Sequence, residues 1–387
     1  MIKKIFIVTG ESSGDLLGSK LIRELKNSNL PIEFCGVGGQ QMKDCGFESI
    51  FPIEDLSVMG FLEVIPHIPK LLKRINQVVE KIQEFQPDIL ITIDAPDFCF
   101  RVLKKLKKTP QFNKIKKVHL IAPSVWAYRE GRAQKIAKLY DLLLTILPFE
   151  PPYFEKYGLK SVFIGHPLID DAPDFSKKSE INFEFRNFYK IAPDDKLILV
   201  TPGSRVGEVK RIFPEFIEGI NLLKNQIPNI KIVIPIVKKT KKIAEELSKK
   251  IAVEYFLIEQ QNYKKMAFYS CDFALAKSGT NAIEISLHKI PLIIAYKINF
   301  LTHFIAKRMI KIKYANLLNL IANREIIPEL LQEKCNANLI FEKIFELIQN
   351  KDCAQKQIDE ANNSLEILGL NNIKNPMSLA VNEILKL

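Results

Sequence analysis

Short, unbroken apolar runs alternate with longer amphipathic stretches along this chain. Ile5–Val8, Phe34–Val37, Ile89–Ile93, Val118–Ile121, Leu142–Ile146 and Ser161–Ile164 are short, mostly apolar and rich in β-branched residues, as strands buried on both faces are. Leu16–Lys26, Pro69–Phe85 and Ala133–Leu139 space their apolar residues at helical intervals. Repeated strand–helix units predict a mostly parallel sheet covered by helices on both faces. The rhythm breaks over 170–195, where Ala172-Pro173-Asp174 and Ala192-Pro193-Asp194-Asp195 are rich in turn formers. It resumes at Lys196-Leu197-Ile198-Leu199-Val200 and continues through Lys231–Pro235, Val253–Leu257, Phe273–Ala276 and Leu292–Tyr296. After Cys335 the chain reads as helical. The predicted fold class is therefore α/β, with two Rossmann-like doubly wound domains. Residues 1–170 form the first, 171–195 a linker and 196–345 the second. Helices over 346–387 are expected to pack on the first domain or on a partner subunit.

Length supports two domains, since 387 residues exceed one ordinary core. A net charge of +12 calls for an anionic partner but does not choose among nucleic acid, a phosphorylated substrate and a membrane surface. The six cysteines form no C-x-x-C pair and the five histidines have no ligand spacing, so free thiols and no metal site are expected. The run after Lys4 is too short for a signal peptide, and no stretch is long enough to span a membrane. A cytoplasmic protein is expected.

Chemistry collects where strands end. Ile89–Ile93 runs into Asp94-Ala95-Pro96-Asp97, and Pro96 places both carboxylates at or beyond the strand's C-terminal end, where open α/β sheets bind ligands. Asp94 can take a proton from an attacking alcohol there; the alternative is that it satisfies backbone donors while Asp97 caps the next helix. The first strand opens into Gly10-Glu11-Ser12-Ser13-Gly14-Asp15, a glycine loop before a helix that lacks the lysine of a triphosphate site. Ser13 or Asp15 can equally serve as an ordinary helix cap. In the second half, Thr201-Pro202-Gly203-Ser204-Arg205 brings backbone close to a ligand at Gly203, a helix cap at Ser204 and a planar fork for phosphate at Arg205. Ser278-Gly279-Thr280 follows another strand, with Glu284 one turn on, suited to the two hydroxyls of a ribose. Two such loops in one domain predict a nucleotide diphosphate. An enzyme joining two substrates and a protein closing on one ligand both fit this pattern.

Two stretches suggest an interfacial surface. In residues 56–74, Met59, Phe61, Leu62, Ile65 and Leu72 would enter the lipid while Lys70, Lys73 and Arg74 meet its phosphates. Phe300–Lys313 pairs a stripe of Leu301, Phe304, Ile305 and Met309 with four cations. Core-facing helices explain either one as well. From Arg101 to Lys117 there are eight Lys/Arg and no acid, but Phe112 alone offers base stacking, so a basic face near a membrane is expected rather than nucleic acid.

Taken together, these motifs resemble the lipid-A-disaccharide synthase family, inverting glycosyltransferases of the two-domain GT-B fold. The likeness runs end to end: Gly10–Asp15, Val58–Val64, Ile93–Phe98, Ala122–Arg129, Leu147–Glu150, Gly165–Pro167, Pro202–Arg205 and Ser278–Thr280 follow the family's order. Departures are Tyr128 for a tryptophan and Leu318 for the proline before Asn319. The resemblance implies two domains facing a cleft. It implies transfer of a sugar from UDP-2,3-diacylglucosamine to 2,3-diacylglucosamine 1-phosphate (lipid X), giving a β-1,6-linked disaccharide and UDP. A UDP-sugar epimerase and an undecaprenyl-linked transferase are the alternatives. It also implies Asp94 as general base and Glu11 near the reacting sugars. Arg205, Ser204, Gly203, Ser278, Gly279, Thr280, Glu284 and Asn319 would lie at the nucleotide. Asp97, Ser13, Ser124, Trp126 and Arg129 would line the acceptor side. No cofactor or metal is implied. Peripheral contact with the inner membrane and a homodimer exchanging C-terminal segments are.

Overall fold

The computed structural model describes residues 2–56, 68–128, 130–299 and 312–387. They form two compact units, one of Met1–Asp170 with Leu368–Leu387 and one of Asp171–Ile367.

The first unit holds a six-stranded parallel sheet of β1 (Lys3–Thr9), β2 (Ile32–Val37), β3 (Ile89–Ile93), β4 (Lys116–Leu120), β5 (Leu142–Thr145) and β6 (Lys160–Phe163), in the order β2-β1-β3-β4-β5-β6. Its central strands are mostly apolar because alternate residues feed two cores, and the polar residues gather chiefly at strand starts. Phe6, Val8 and Leu90 face the helices Ile68–Phe85 and Pro96–Leu106. Ile5, Ile7, Ile89, Ile91 and Ile93 face the helix Ser12–Asn27. The chain's final helix, Pro376–Leu385, adds Met377, Ala380, Val381 and Ile384 to that second core. Leu368 carbonyl accepts from the His166 N–H at 2.9 Å, and Lys160 pairs with Glu383 at 2.7 Å.

The second unit repeats the plan with β7 (Lys196–Thr201), β8 (Ile230–Pro235), β9 (Glu254–Ile258), β10 (Phe273–Lys277), β11 (Leu292–Tyr296) and β12 (Glu329–Leu331), ordered β12-β11-β10-β7-β8-β9. Ile198, Val200, Ile232 and Ile234 pack with the helices Val206–Leu223 and Ala337–Gln349.

The structure differs from the sequence reading at three places. The expected linker 171–195 contains the helix Lys178–Phe188, which belongs to the second unit: Phe188 stacks on Tyr263 at 4.4 Å, and the Asp174 N–H donates to Tyr269 Oη at 3.1 Å. Of the tail expected over 346–387, the helix Lys351–Ile367 stays with the second unit, and 368–387 joins the first. The edge strand β12 was not foreseen. It is only three residues long and follows Pro328, so it has neither the length nor the alternation that marks a strand.

Candidate active site

In each sheet the strand order reverses once, and the expected residues collect at that reversal. In the first unit β1 lies between β2 and β3, so the loops after β1 and β3 adjoin at a topological switch point. Their contact is close: a Cβ on Gly10 would lie 2.4 Å from that of Ala95, so only glycine fits. The Ser13 hydroxyl donates to Asp94 Oδ2 at 3.1 Å, and the Ala95 N–H donates to Oδ1 at 2.8 Å. Each carboxylate oxygen keeps a free lone pair, and the side chain is only half-buried. Asp94 and Ala95 have φ of 52° and 43°, and Ile121 at the end of β4 has φ of 74°. Three non-glycine residues in the left-handed region cost on the order of 1–3 kcal/mol each. The Asp94 N–H still donates to the Leu120 carbonyl at 3.0 Å, and that of Ile121 to Leu144 at 3.0 Å. The sheet thus forces the turn that aims Asp94 out of the strand end.

The loop's other members have distinct places. Glu11 is half-buried at the N-terminus of Ser12–Asn27, and its side chain does not cap that helix. Nor does Asp15: its buried carboxylate accepts from the N–H groups of Gly39, Gln41 and Met42 at 2.8–3.1 Å, serving the start of a different helix. Asp97 is not a cap either, but an exposed partner of Arg132 at 2.7 Å. Ser124 is exposed. Trp126 donates from Nε1 to Glu150 Oε1 at 3.1 Å, and Glu150 Oε2 accepts from the Leu147 N–H at 3.1 Å. Burial pushes the Glu150 carboxyl up to about 7. The sequence around Glu150 carries no local signal of the carboxylate's burial.

In the second unit the switch point lies between β7 and β10. The Asn281 amide donates to Thr201 Oγ1 at 2.7 Å and ties the two loops together. Gly203 has φ of 124°, and a Cβ there would meet Glu208 Oε2 at 2.9 Å. Glu208 is buried, with Arg205 at 3.5 Å and Lys277 at 3.4 Å from Oε1 and no hydrogen bond to either oxygen. Lys277 ends the apolar strand β10 as a lone cation, a signal that the sequence carried without the partner that gives it meaning. Ser204, Arg205, Gly279 and Thr280 are exposed at this end of the sheet, and Ser278 donates to the Ala315 carbonyl at 3.2 Å. Ser204 does not cap Val206–Leu223. Burial, with Asp171 nearby, raises the Glu284 pKa.

Asn319 is a correction. It is fully buried, and its amide is saturated from within: Oδ1 accepts from the N–H of Ile326 and of Ile327 at 2.9 Å each, while Nδ2 donates to the Ile327 carbonyl and to Glu329 Oε1. No donor or acceptor is left for a nucleotide, so Asn319 organises the loop before β12 instead.

The surface residues divide similarly. Met59, Phe61, Leu62, Ile65, Arg129 and the stripe of 300–311 lie outside the described residues. Leu72 and Lys73 are exposed neighbours on the helix Ile68–Phe85. Arg74 is not free for lipid phosphate: Asp55 holds it in an ion pair, and it stacks over Phe51 at 4.5 Å. Among the described residues no helix is long and apolar enough to cross a membrane.

Residues 5–383 match the family model for lipid-A-disaccharide synthetase. A lipid-A-disaccharide synthase of Rickettsia bellii is 42% identical over 383 residues, 98% of this chain and 97% of the relative. Among solved structures, the S. aureus MnaA–UDP co-structure superposes with a TM-score of 0.63 at 16% identity, over 99% of this chain and 95% of that one. Acinetobacter baumannii MurG does so with a TM-score of 0.59 at 12% identity, over 100% of both chains. These two likenesses concern the fold, GT-B. The full-length family match and the close relative go further: this chain belongs to the lipid-A-disaccharide synthetase family of glycosyltransferases.

Proposed function

We propose that this enzyme joins UDP-2,3-diacylglucosamine to 2,3-diacylglucosamine 1-phosphate with inversion at the anomeric carbon, releasing UDP and the β-1,6-linked disaccharide 1-phosphate. The observation that carries the reading is Asp94, turned out of β3 on left-handed backbone and hydrogen-bonded by Ser13 at the switch point. A carboxylate is too weak a base to ionise an alcohol beforehand. It accepts the proton late, as the acceptor's 6-hydroxyl oxygen bonds to an oxocarbenium-like carbon, a contribution of roughly 10²–10⁴-fold. Glu11 lies in the same loop pair and is assigned to the reacting sugars. The leaving diphosphate gathers charge as its bond breaks. Arg205 and Lys277, with the loop donors of Gly203, Ser204, Ser278, Gly279 and Thr280, are assigned to it, and Glu284 to the ribose. This set of cations needs no metal, and chelation is expected to leave the rate unchanged.

Acyl chains leave water only at a cost of about 0.8 kcal/mol per CH₂. The enzyme therefore meets its substrates at the cytoplasmic face of the inner membrane, with Leu72 and Lys73 in the contact zone. A homodimer exchanging its C-terminal segment is part of the same reading. The test is product analysis by mass spectrometry with both lipids supplied. Disaccharide with release of UDP is expected; an epimerised UDP-sugar with no disaccharide would refute the reading.

A further inference from the structure

The basic stretch after Asp97 builds a concavity rather than a flat face. A pocket of about 250 Å³ opens between the helices Pro96–Leu106 and Arg132–Ala137, lined by Arg101, Lys104, Arg132 and Lys135 with Asp97 and the Phe100 ring. Asp97 is engaged by Arg132, whose guanidinium also lies 5.7 Å from Phe100. Arg101, Lys104 and Lys135 are exposed and have no carboxylate partner among the described residues. Four cations thus face one carboxylate across a recess with an apolar wall. Such convergence is repulsive when empty, and concave low-dielectric walls strengthen its pull on an anion.

We propose that this pocket binds the anomeric phosphate of the acceptor glycolipid. The inference rests on the function proposed above, in which only two anionic groups take part. The donor's diphosphate already has Arg205 and Lys277 in the second unit. Among the described residues this pocket gathers four cations close to Asp94 in the chain: it begins at Asp97, three residues on. Arginine forks and lysine point charges together suit a phosphate monoester dianion. Asp97 acts here as a positioning residue that fixes Arg132.

The test is the double variant Arg101→Ala/Lys135→Ala, both sites being exposed and unpaired, compared with the parent on 2,3-diacylglucosamine with and without its 1-phosphate. The parent's preference for the phosphorylated acceptor, as kcat/KM, is expected to fall roughly 10- to 100-fold in the variant, chiefly through KM. The UDP-induced rise in Tm should be unchanged. An unchanged preference overturns the proposal. So does a variant whose sole defect is weaker sedimentation with phosphatidylglycerol vesicles, which would assign the pocket to lipid headgroups. If the parent forms no disaccharide at all, the function falls separately, and glucosamine 1-phosphate decides the pocket. It should raise the parent's Tm but not the variant's, with glucosamine inert; no rise would refute the site.

Discussion

The two switch points share one topology and carry opposite chemistry. In the first unit the loops after β1 and β3 present carboxylates, Glu11 and Asp94, and the loop after β3 is strained at two non-glycine positions, Asp94 and Ala95. In the second the loops after β7 and β10 present cations, Arg205 and Lys277, around a buried Glu208, with glycine at the one left-handed position, Gly203. The difference shows what the fold supplies and what it leaves to the sequence. Parallel strands whose order reverses always leave two loops side by side. Which charge those loops carry sets what each place can offer: a carboxylate can accept a proton, and cations can hold an anion. Strain follows the same division, as the proposed roles require: a base must be held in one direction, whereas a diphosphate cradle needs close backbone approach, which glycine gives without strain.

Substitutions should break one side of this contrast and leave the other intact. The largest effect is expected for Asp94→Asn, a loss of roughly 10²-fold or more in kcat with UDP binding retained. Steady-state kinetics beside UDP calorimetry measure both; activity above about a tenth of the parent's would remove Asp94 from the base's role. Next, Arg205→Ala and Lys277→Ala should each weaken UDP by roughly 10-fold or more, about 1.5–3 kcal/mol for a charge-assisted contact. Calorimetry that finds Kd unmoved in both would end the cradle assignment. Ser13→Ala should lower kcat a few-fold, about 1 kcal/mol for one hydrogen bond, and leave UDP affinity alone. A simultaneous loss of UDP affinity would argue that the contrast between units is drawn in the wrong place.

The smallest effect on turnover is expected at Glu150, and it is read as stability. Burial raises its folded pKa to about 7, above the ordinary value of 4.5, so the folded state binds the extra proton between those values. Its contribution is complete below pH 4.5 and is lost as pH rises through 7, by a few kcal/mol at most. Glu150→Gln should flatten that fall; a Tm profile between pH 5 and 8 as steep as the parent's would exclude Glu150 as its source.

The sequence by itself determined the strands except the short edge strand β12, because a strand fed by two cores is largely apolar on both faces, and such runs are legible in the sequence. It also placed Asp94, Arg205 and Ser278 at strand ends, since Pro96, Gly203 and Gly279 interrupt the runs there. Tertiary structure alone decided which loops adjoin, because the order of parallel strands is set by packing between distant segments. For the same reason it alone reassigned Asp15 to a neighbouring helix and sealed Asn319 inside a loop. It joined Lys277 to Arg205 through Glu208 and gathered the cations of two helices into one pocket. Those outcomes depend on partners far along the chain, and a side chain's composition does not say which donor will reach it.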